Sequence, residues 1–200
     1  MKMPKIRVHY SIFFLVLISL FTDNLFKILV ILLCIIIHEF AHFIALSYYK
    51  KQLVSIEISL IGGMMNADKE GLSLKAKLIV NLSGVFANLL IIIGLQIFNF
   101  NQPFLISYNL LMIIFNLIPI IPLDGYQVLN DILLSVYEEE FTFVIIKSID
   151  IICLIILGII LLWLKIYGLF FIWLFLIYKL YMYNLDDKKL KKYFLLYRNT

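Results

Sequence analysis

The stretch that decides the fold runs from Leu25 to Ser47 and reads LFKILVILLCIIIHEFAHFIALS. Beyond Lys27, every residue up to Ile37 is apolar, and the whole run is as long as the hydrocarbon core of a bilayer requires of a helix. Inside it stands His38-Glu39-Phe40-Ala41-His42. A histidine or acid costs a few kcal/mol at such a depth unless it has a partner. One histidine in an apolar helix ordinarily reads as a satisfied packing residue. Here two of the chain's three histidines and a glutamate share little more than one turn. The H-E-x-x-H spacing puts two imidazoles at i and i+4 on one helical face with a carboxylate beside them, the signature of zinc hydrolases. A bound cation would serve all three groups.

The rest of the chain extends this picture outward. Of the 200 residues, 64% are hydrophobic and only 15% charged, against about a quarter charged in soluble domains. From Leu78 to Leu123 there is no Asp, Glu, Lys or Arg. That composition excludes a soluble enzyme. Apolar runs fall at Ile6–Phe21, Leu25–Ser47, Ala76–Phe98, Phe104–Ile121, Phe141–Leu164 and Ile166–Tyr183, so the expected fold is an all-α polytopic membrane protein of about six transmembrane helices. Met1–Arg7 precedes the first run without a small-residue cleavage site after it, and reads as the start of a retained span. The sequence predicts a single membrane-embedded domain over residues 1–200. Its catalytic core covers about 25–136, accessory C-terminal helices about 141–184, and a short tail 185–200.

Basic residues orient the spans. Lys2, Lys5 and Arg7 precede the first, Lys50, Lys51, Lys69 and Lys75 lie between the second and third, and Lys188–Lys192 follow the sixth. These are alternate loops, so the positive-inside rule places both termini in the cytoplasm. The excess of 17 Lys and Arg over 13 Asp and Glu has no aromatic interleaving, which leaves nucleic acid without a footprint. Cys34 and Cys153 lie in apolar stretches and imply no disulfide; Cys34, one turn before His38, reads as packing first and as a metal ligand second. His9 reads as an interfacial residue of the first span. Leu53–Met65, LVSIEISLIGGMM, alternates apolar and polar residues before Gly62-Gly63. It reads either as a small interfacial β element with an edge open to an extended peptide or as an ordinary interfacial loop.

A catalytic zinc needs a third protein ligand and an open position. The candidate is Asp124, in NLIPIIPLDG from Asn116 to Gly125, where Pro119 and Pro122 break the helix and turn the carboxylate inward. In isolation the same aspartate has a second reading, as the cap of a helix over Tyr126–Val136. Depth favours the ligand. His38 and His42 lie roughly 12–18 Å inside Lys50 at 1.5 Å per residue, and Asp124 lies about 20 residues from the outer end of its own span.

HEFAH on a transmembrane helix followed by N-x-x-P-x-x-P-L-D-G resembles the site-2 protease family of intramembrane zinc metalloproteases, over roughly residues 5–136. The nearest likeness is the six-span branch represented by stage IV sporulation protein FB, with echoes in Lys5–His9, in Gly62-Gly63, and in Ser83-Gly84 through Asn88. The departures are Val85 in place of a proline, Tyr126 in place of a second glycine, and the lack of a nucleotide-sensing domain after the sixth span. The resemblance implies one Zn2+ per chain on His38, His42 and Asp124, with Glu39 as general base. It implies that Asn116 holds the substrate backbone, an alternative to plain interhelical hydrogen bonding, and it brings Gly62 and Gly63 to the substrate strand. The expected partners are a membrane-associated protein substrate, the lipid bilayer and an inhibitory membrane protein. The expected setting is a bacterial cell membrane, and the expected substrate a sporulation sigma-factor precursor or an anti-sigma factor. Rival readings are a metal or proton transporter, which internal repeats would favour and none is found, and a noncatalytic membrane chaperone.

Overall fold

The computed structural model describes residues 5–8, 25–51, 53–59, 62–67, 69–100, 102–165 and 169–198, with the backbone course alone for the strands and for 185–198. In chain order the elements are β1 (Lys5–Val8), α1 (Leu25–Tyr48), β2 (Leu53–Ser59), β3 (Gly62–Ala67), α2 (Leu74–Ile97), α3 (Pro103–Asn116), α4 (Asp124–Leu134), α5 (Glu139–Trp163) and α6 (Phe170–Arg198).

Among the described residues, three helices are long and apolar enough to cross a membrane: α1, α2 and α5. Each buries a single stripe and turns the rest outward. On α1 the stripe is Cys34, Ile35, His38, His42 and Leu46, while Leu29, Leu33, Ile36, Phe40 and Ile44 are exposed. A helix apolar all round, with most of that surface uncovered by protein, suits lipid rather than water. The corresponding stripe of α2 is Ala76, Val80, Gly84 and Asn88 at intervals of four, with Asn81 beside it. Ala76 and Gly84 carry little or no side chain, which lets the α1 and α2 backbones approach closely. Helix α2 starts cleanly because Ser73 Oγ accepts from the Ala76 amide.

Among the described residues the expected count of six spans is not supported. Ile6–Val8, read as the start of the first span, belong to β1, and the remainder of that run lies outside the described residues, as does His9. The run Phe104–Ile121 is continuous in composition, yet its helix α3 ends at Asn116 after 14 residues, about 21 Å against the roughly 30 Å of a bilayer core. Pro119 and Pro122 are the reason, since neither can donate to a helical hydrogen bond and each restricts the residue before it. The chain from Leu117 to Leu123 therefore runs as irregular turns, with a cis Ile121–Pro122 bond. Helix α4 begins at Asp124 and ends at Leu134, two residues ahead of the expected Tyr126–Val136 at each end. Apolar Phe170–Asn184 of α6 is also shorter than a full span.

The irregular turns are anchored by packing. Ile120 and Leu123 are buried with Leu154 of α5 and Leu176 of α6, and Trp173 packs against this cluster while its Nε1 donates to the Leu154 carbonyl at 2.8 Å. Leu53–Ser59 and Gly62–Ala67, within and just beyond the stretch read as strand-like, pair as antiparallel β2 and β3, and β1 joins β2 in parallel. In the order β1-β2-β3, β3 is an edge strand among the described residues, and it lies against α1.

Candidate metal centre

His38 and His42 occupy the buried stripe of α1, 3% and 8% exposed. Across from them the first residue of α4 delivers Asp124, whose Oδ2 lies 3.2 Å from each Nε2. The two Nε2 atoms are 3.3 Å apart. The structure thus brings together the three residues expected as ligands, and Asp124 is a first-turn residue of its helix rather than the capping position, which falls on Leu123.

The outer nitrogens fix what the inner ones present. His42 Nδ1 lies 2.7 Å from the Val80 carbonyl, with Ser83 Oγ 3.1 Å away. A carbonyl only accepts, so Nδ1 carries a proton, which leaves Nε2 as the nitrogen able to offer a lone pair to an ion. His38 Nδ1 lies 3.2 Å from Asn88 Oδ1, which selects the same tautomer. Asp124 Oδ2 is buried and has no hydrogen-bond partner among the described residues. The two inner imidazole nitrogens and a carboxylate oxygen therefore converge on one point, where a cation would satisfy all three at once. Ligands at about 2.0–2.1 Å from a tetrahedral centre stand roughly 3.3 Å apart, which the three observed separations match. His38, His42 and Asp124 fit a zinc-sized ion.

Two glycines make the convergence possible. A Cβ on Gly84 would strike His42 Nε2 and lie within 2.6 Å of His38, so the imidazoles occupy the space a side chain would fill. A Cβ on Gly125 would collide with the Leu117 carbonyl and sit 2.7 Å from the Ile118 oxygen, so the turn folds back tightly onto the start of α4. Glu39 follows His38 on α1 and is half-buried.

The other expected site residues are not among the converging ligand atoms. Asn116 closes α3 and donates from Nδ2 to the Met112 carbonyl at 3.1 Å, the hydrogen bond of a helix-bound amide. It also lines an apolar cavity of about 220 Å³ shared with Ile35, Leu157 and Trp173. Gly62 and Gly63 lie in β3 opposite Ser59 and Ile58. Cys34 is not among the converging ligands: it packs with Ile35 and Met112, and Asn109 Nδ2 approaches its Sγ at 3.5 Å. The sequence names Ser83-Gly84 through Asn88 only as part of the resemblance, with no role for any of them, and nothing in it points to the Val80 carbonyl. A further signal was the four-residue interval from Ala76 to Asn88, which marks one face of α2.

The sequence matches no protein-family model and no curated protein. A solved structure, the site-2 protease from Methanocaldococcus jannaschii, shares the fold at a TM-score of 0.68 and 24% identity, over 91% of this chain and 92% of that one.

Proposed function

We propose that this chain is an intramembrane zinc metalloprotease that cleaves a membrane-associated protein near the cytoplasmic face. The observation that carries the reading is the triangle of His38, His42 and Asp124 ligand atoms, beside a carboxylate on the same apolar helix. The shared fold of the archaeal site-2 protease supports it.

His38, His42 and Asp124 would hold the zinc, which would supply Lewis acidity toward a peptide carbonyl and a water. Glu39 accepts the proton of the attacking water and returns it to the departing amine nitrogen. Asn88 and Val80 hold the outer nitrogens of His38 and His42, so both rings would turn Nε2 toward the ion in a fixed orientation. A transmembrane substrate hides its amides in its own helix, so it must unwind before attack. The β3 edge at Gly62-Gly63 would receive the extended peptide by strand pairing, and Asn116 would hold its backbone. Loop charge supports a multi-pass chain with cytoplasmic termini, and a bacterial cell membrane is the setting to test. A sporulation sigma-factor precursor and an anti-sigma factor are the substrate classes to try first, with an inhibitory membrane partner as the control on activity.

The test is to purify the chain with its bound metal, measure zinc per chain and map the scissile bond of a membrane-anchored substrate by product mass spectrometry. One zinc and a cut near the cytoplasmic face are expected. Cuts confined to outward-facing loops, or cleavage indifferent to helix-stabilising substitutions around the scissile bond, would overturn the placement and the unwinding step.

A further inference from the structure

Helix α4 carries Asp124, Gln127 and Asp131 at intervals of three and four, which places them on one face. Only Asp124 belongs to the metal centre. The other two are tied down by a polar network that the reaction described above does not use. Lys69, just past the end of β3, donates from Nζ to Gln127 Oε1 at 2.6 Å and also to Asn81 Oδ1. Asn81, on α2 and 2% exposed, donates from Nδ2 to Asp131 Oδ2 at 2.7 Å. Lys77 Nζ stands 3.6 Å from Asp131 Oδ1. The end of the sheet, α2 and α4 therefore meet at one ammonium.

This lysine differs from the solvated loop charges that merely orient the chain. It is half-buried, and burial pulls its pKa down while the carboxylates of Asp131 and then Asp124 push it back up. Exposed ion pairs fix little, whereas partly desolvated charge-assisted hydrogen bonds hold a defined geometry. Helix α4 has need of such a constraint. At 11 residues, with no side-chain hydrogen bond at its start, it is shorter than the roughly 12–15 residues at which an isolated helix becomes marginally stable. A rotation of about 20° would carry a side-chain atom some 6 Å from the helix axis through about 2 Å, enough to take Asp124 off both imidazoles. Ile120 and Leu123 fix the entrance to the helix from the α5–α6 side. The Lys69 network fixes its rotation from the α2 side.

We propose that Lys69 is a positioning residue for the metal centre: through Gln127, and through Asn81 to Asp131, it sets the rotation of α4 so that Asp124 meets His38 and His42, and it links that helix to the end of β3. The proposal rests on the reading of those three residues as a metal centre.

The experiment uses the full chain in detergent micelles, titrated with zinc against a chromophoric chelator and with Co2+ followed by its visible absorption. Lys69→Met is expected to weaken zinc binding roughly three- to tenfold, somewhat less than loss of a group hydrogen-bonded directly to a ligand, and to shift the Co2+ bands as the carboxylate loosens. Gln127→Glu, which sets a carboxylate against the ammonium, is expected to keep wild-type affinity within about twofold. Combining Lys69→Met with Gln127→Leu should cost little more than Lys69→Met alone, because both break one connection. Wild-type affinity and an unshifted Co2+ spectrum in Lys69→Met, or full additivity of the pair, would overturn the proposal. If Lys69→Met does not fold, Gln127→Leu, which leaves the Lys69–Asn81 bond in place, carries the same expectation and the same refutation. No substrate enters these measurements. A chain that binds zinc in a Lys69-dependent way and cleaves nothing would refute the protease reading and leave this one standing.

Discussion

Asp124 and Asp150 are both withdrawn from solvent, and each has carboxyl oxygen with no hydrogen-bond partner among the described residues. Their surroundings differ. Asp124 Oδ2 faces two imidazole nitrogens whose lone pairs are aimed by Asn88 and Val80. Asp150 sits wholly buried in the inward stripe of α5, one turn from Ile146 and one from Leu154. A buried acid is thus not in itself a site. What distinguishes Asp124 is convergence: other electron-pair donors at ligand-to-ligand spacing, with their outer atoms already committed to partners that fix their orientation.

The comparison breaks most readily at the metal. His38→Ala, His42→Ala and Asp124→Ala are each expected to abolish or severely lower zinc occupancy, and cleavage with it, by elemental analysis of purified protein. An Asp124→Ala protein with full zinc would reduce that aspartate to the first-turn helix residue it also is. The next effect separates binding from chemistry. Glu39→Gln is expected to retain zinc and to lose cleavage by at least about 10²–10⁴-fold, since an amide fills the space without accepting a proton. Near-normal turnover in this variant would remove Glu39 from the reaction whatever the metal content.

How much of this was legible in the sequence depended on distance along the chain. The pairing of His38 with His42 was readable because i and i+4 share one helical face, and Asp124 because two prolines advertise a break in an apolar run. The length of α3 was misjudged from Phe104 to Ile121, because apolarity measures burial while Pro119 and Pro122 decide where helical hydrogen bonding stops. β1 was read as part of a helix, because the partner that makes Lys5–Val8 a strand lies 50 residues away at Ser55–Ile58. Asn88 and Gly84 gave only a faint signal. Their roles exist only once α2 lies against α1. Lys69 was counted as a loop charge for topology, and its bonds to Asn81 and Gln127 are tertiary.

Glycine 84 sharpens the comparison from the other side of the site. An alanine methyl there meets both imidazoles, so either the rings or the α1–α2 spacing must give. Gly84→Ala is expected to weaken zinc binding by about 10–100-fold and to cost roughly 1–3 kcal/mol in stability through overpacking. Gly94→Ala is the control on the same helix. Its Cβ meets nothing within 4 Å, and replacing a mid-helix glycine is worth about 0.5–1 kcal/mol in favour of the folded state. Thermal unfolding with zinc titration distinguishes the two; equal behaviour would show that the close approach of Gly84 to the histidines carries no weight.

The smallest effect is expected at Asp150, where the comparison is most exposed. Asp150→Asn preserves shape and hydrogen-bonding capacity in a site flanked by Ile146, Leu154 and the Ile121 backbone, so the change should fall on stability rather than on the metal. Zinc content and the Co2+ spectrum should match the wild-type protein, because Asp150 is not among the converging ligand atoms. The contrast with Asp124→Asn is the point of the measurement. At position 124 the same chemical change replaces an anionic oxygen ligand by a neutral amide oxygen, and metal affinity should fall sharply. Loss of zinc in Asp150→Asn comparable to that in Asp124→Asn would show that the acid on α5 communicates with the metal centre, and the distinction between a convergent carboxylate and a solitary one would fail.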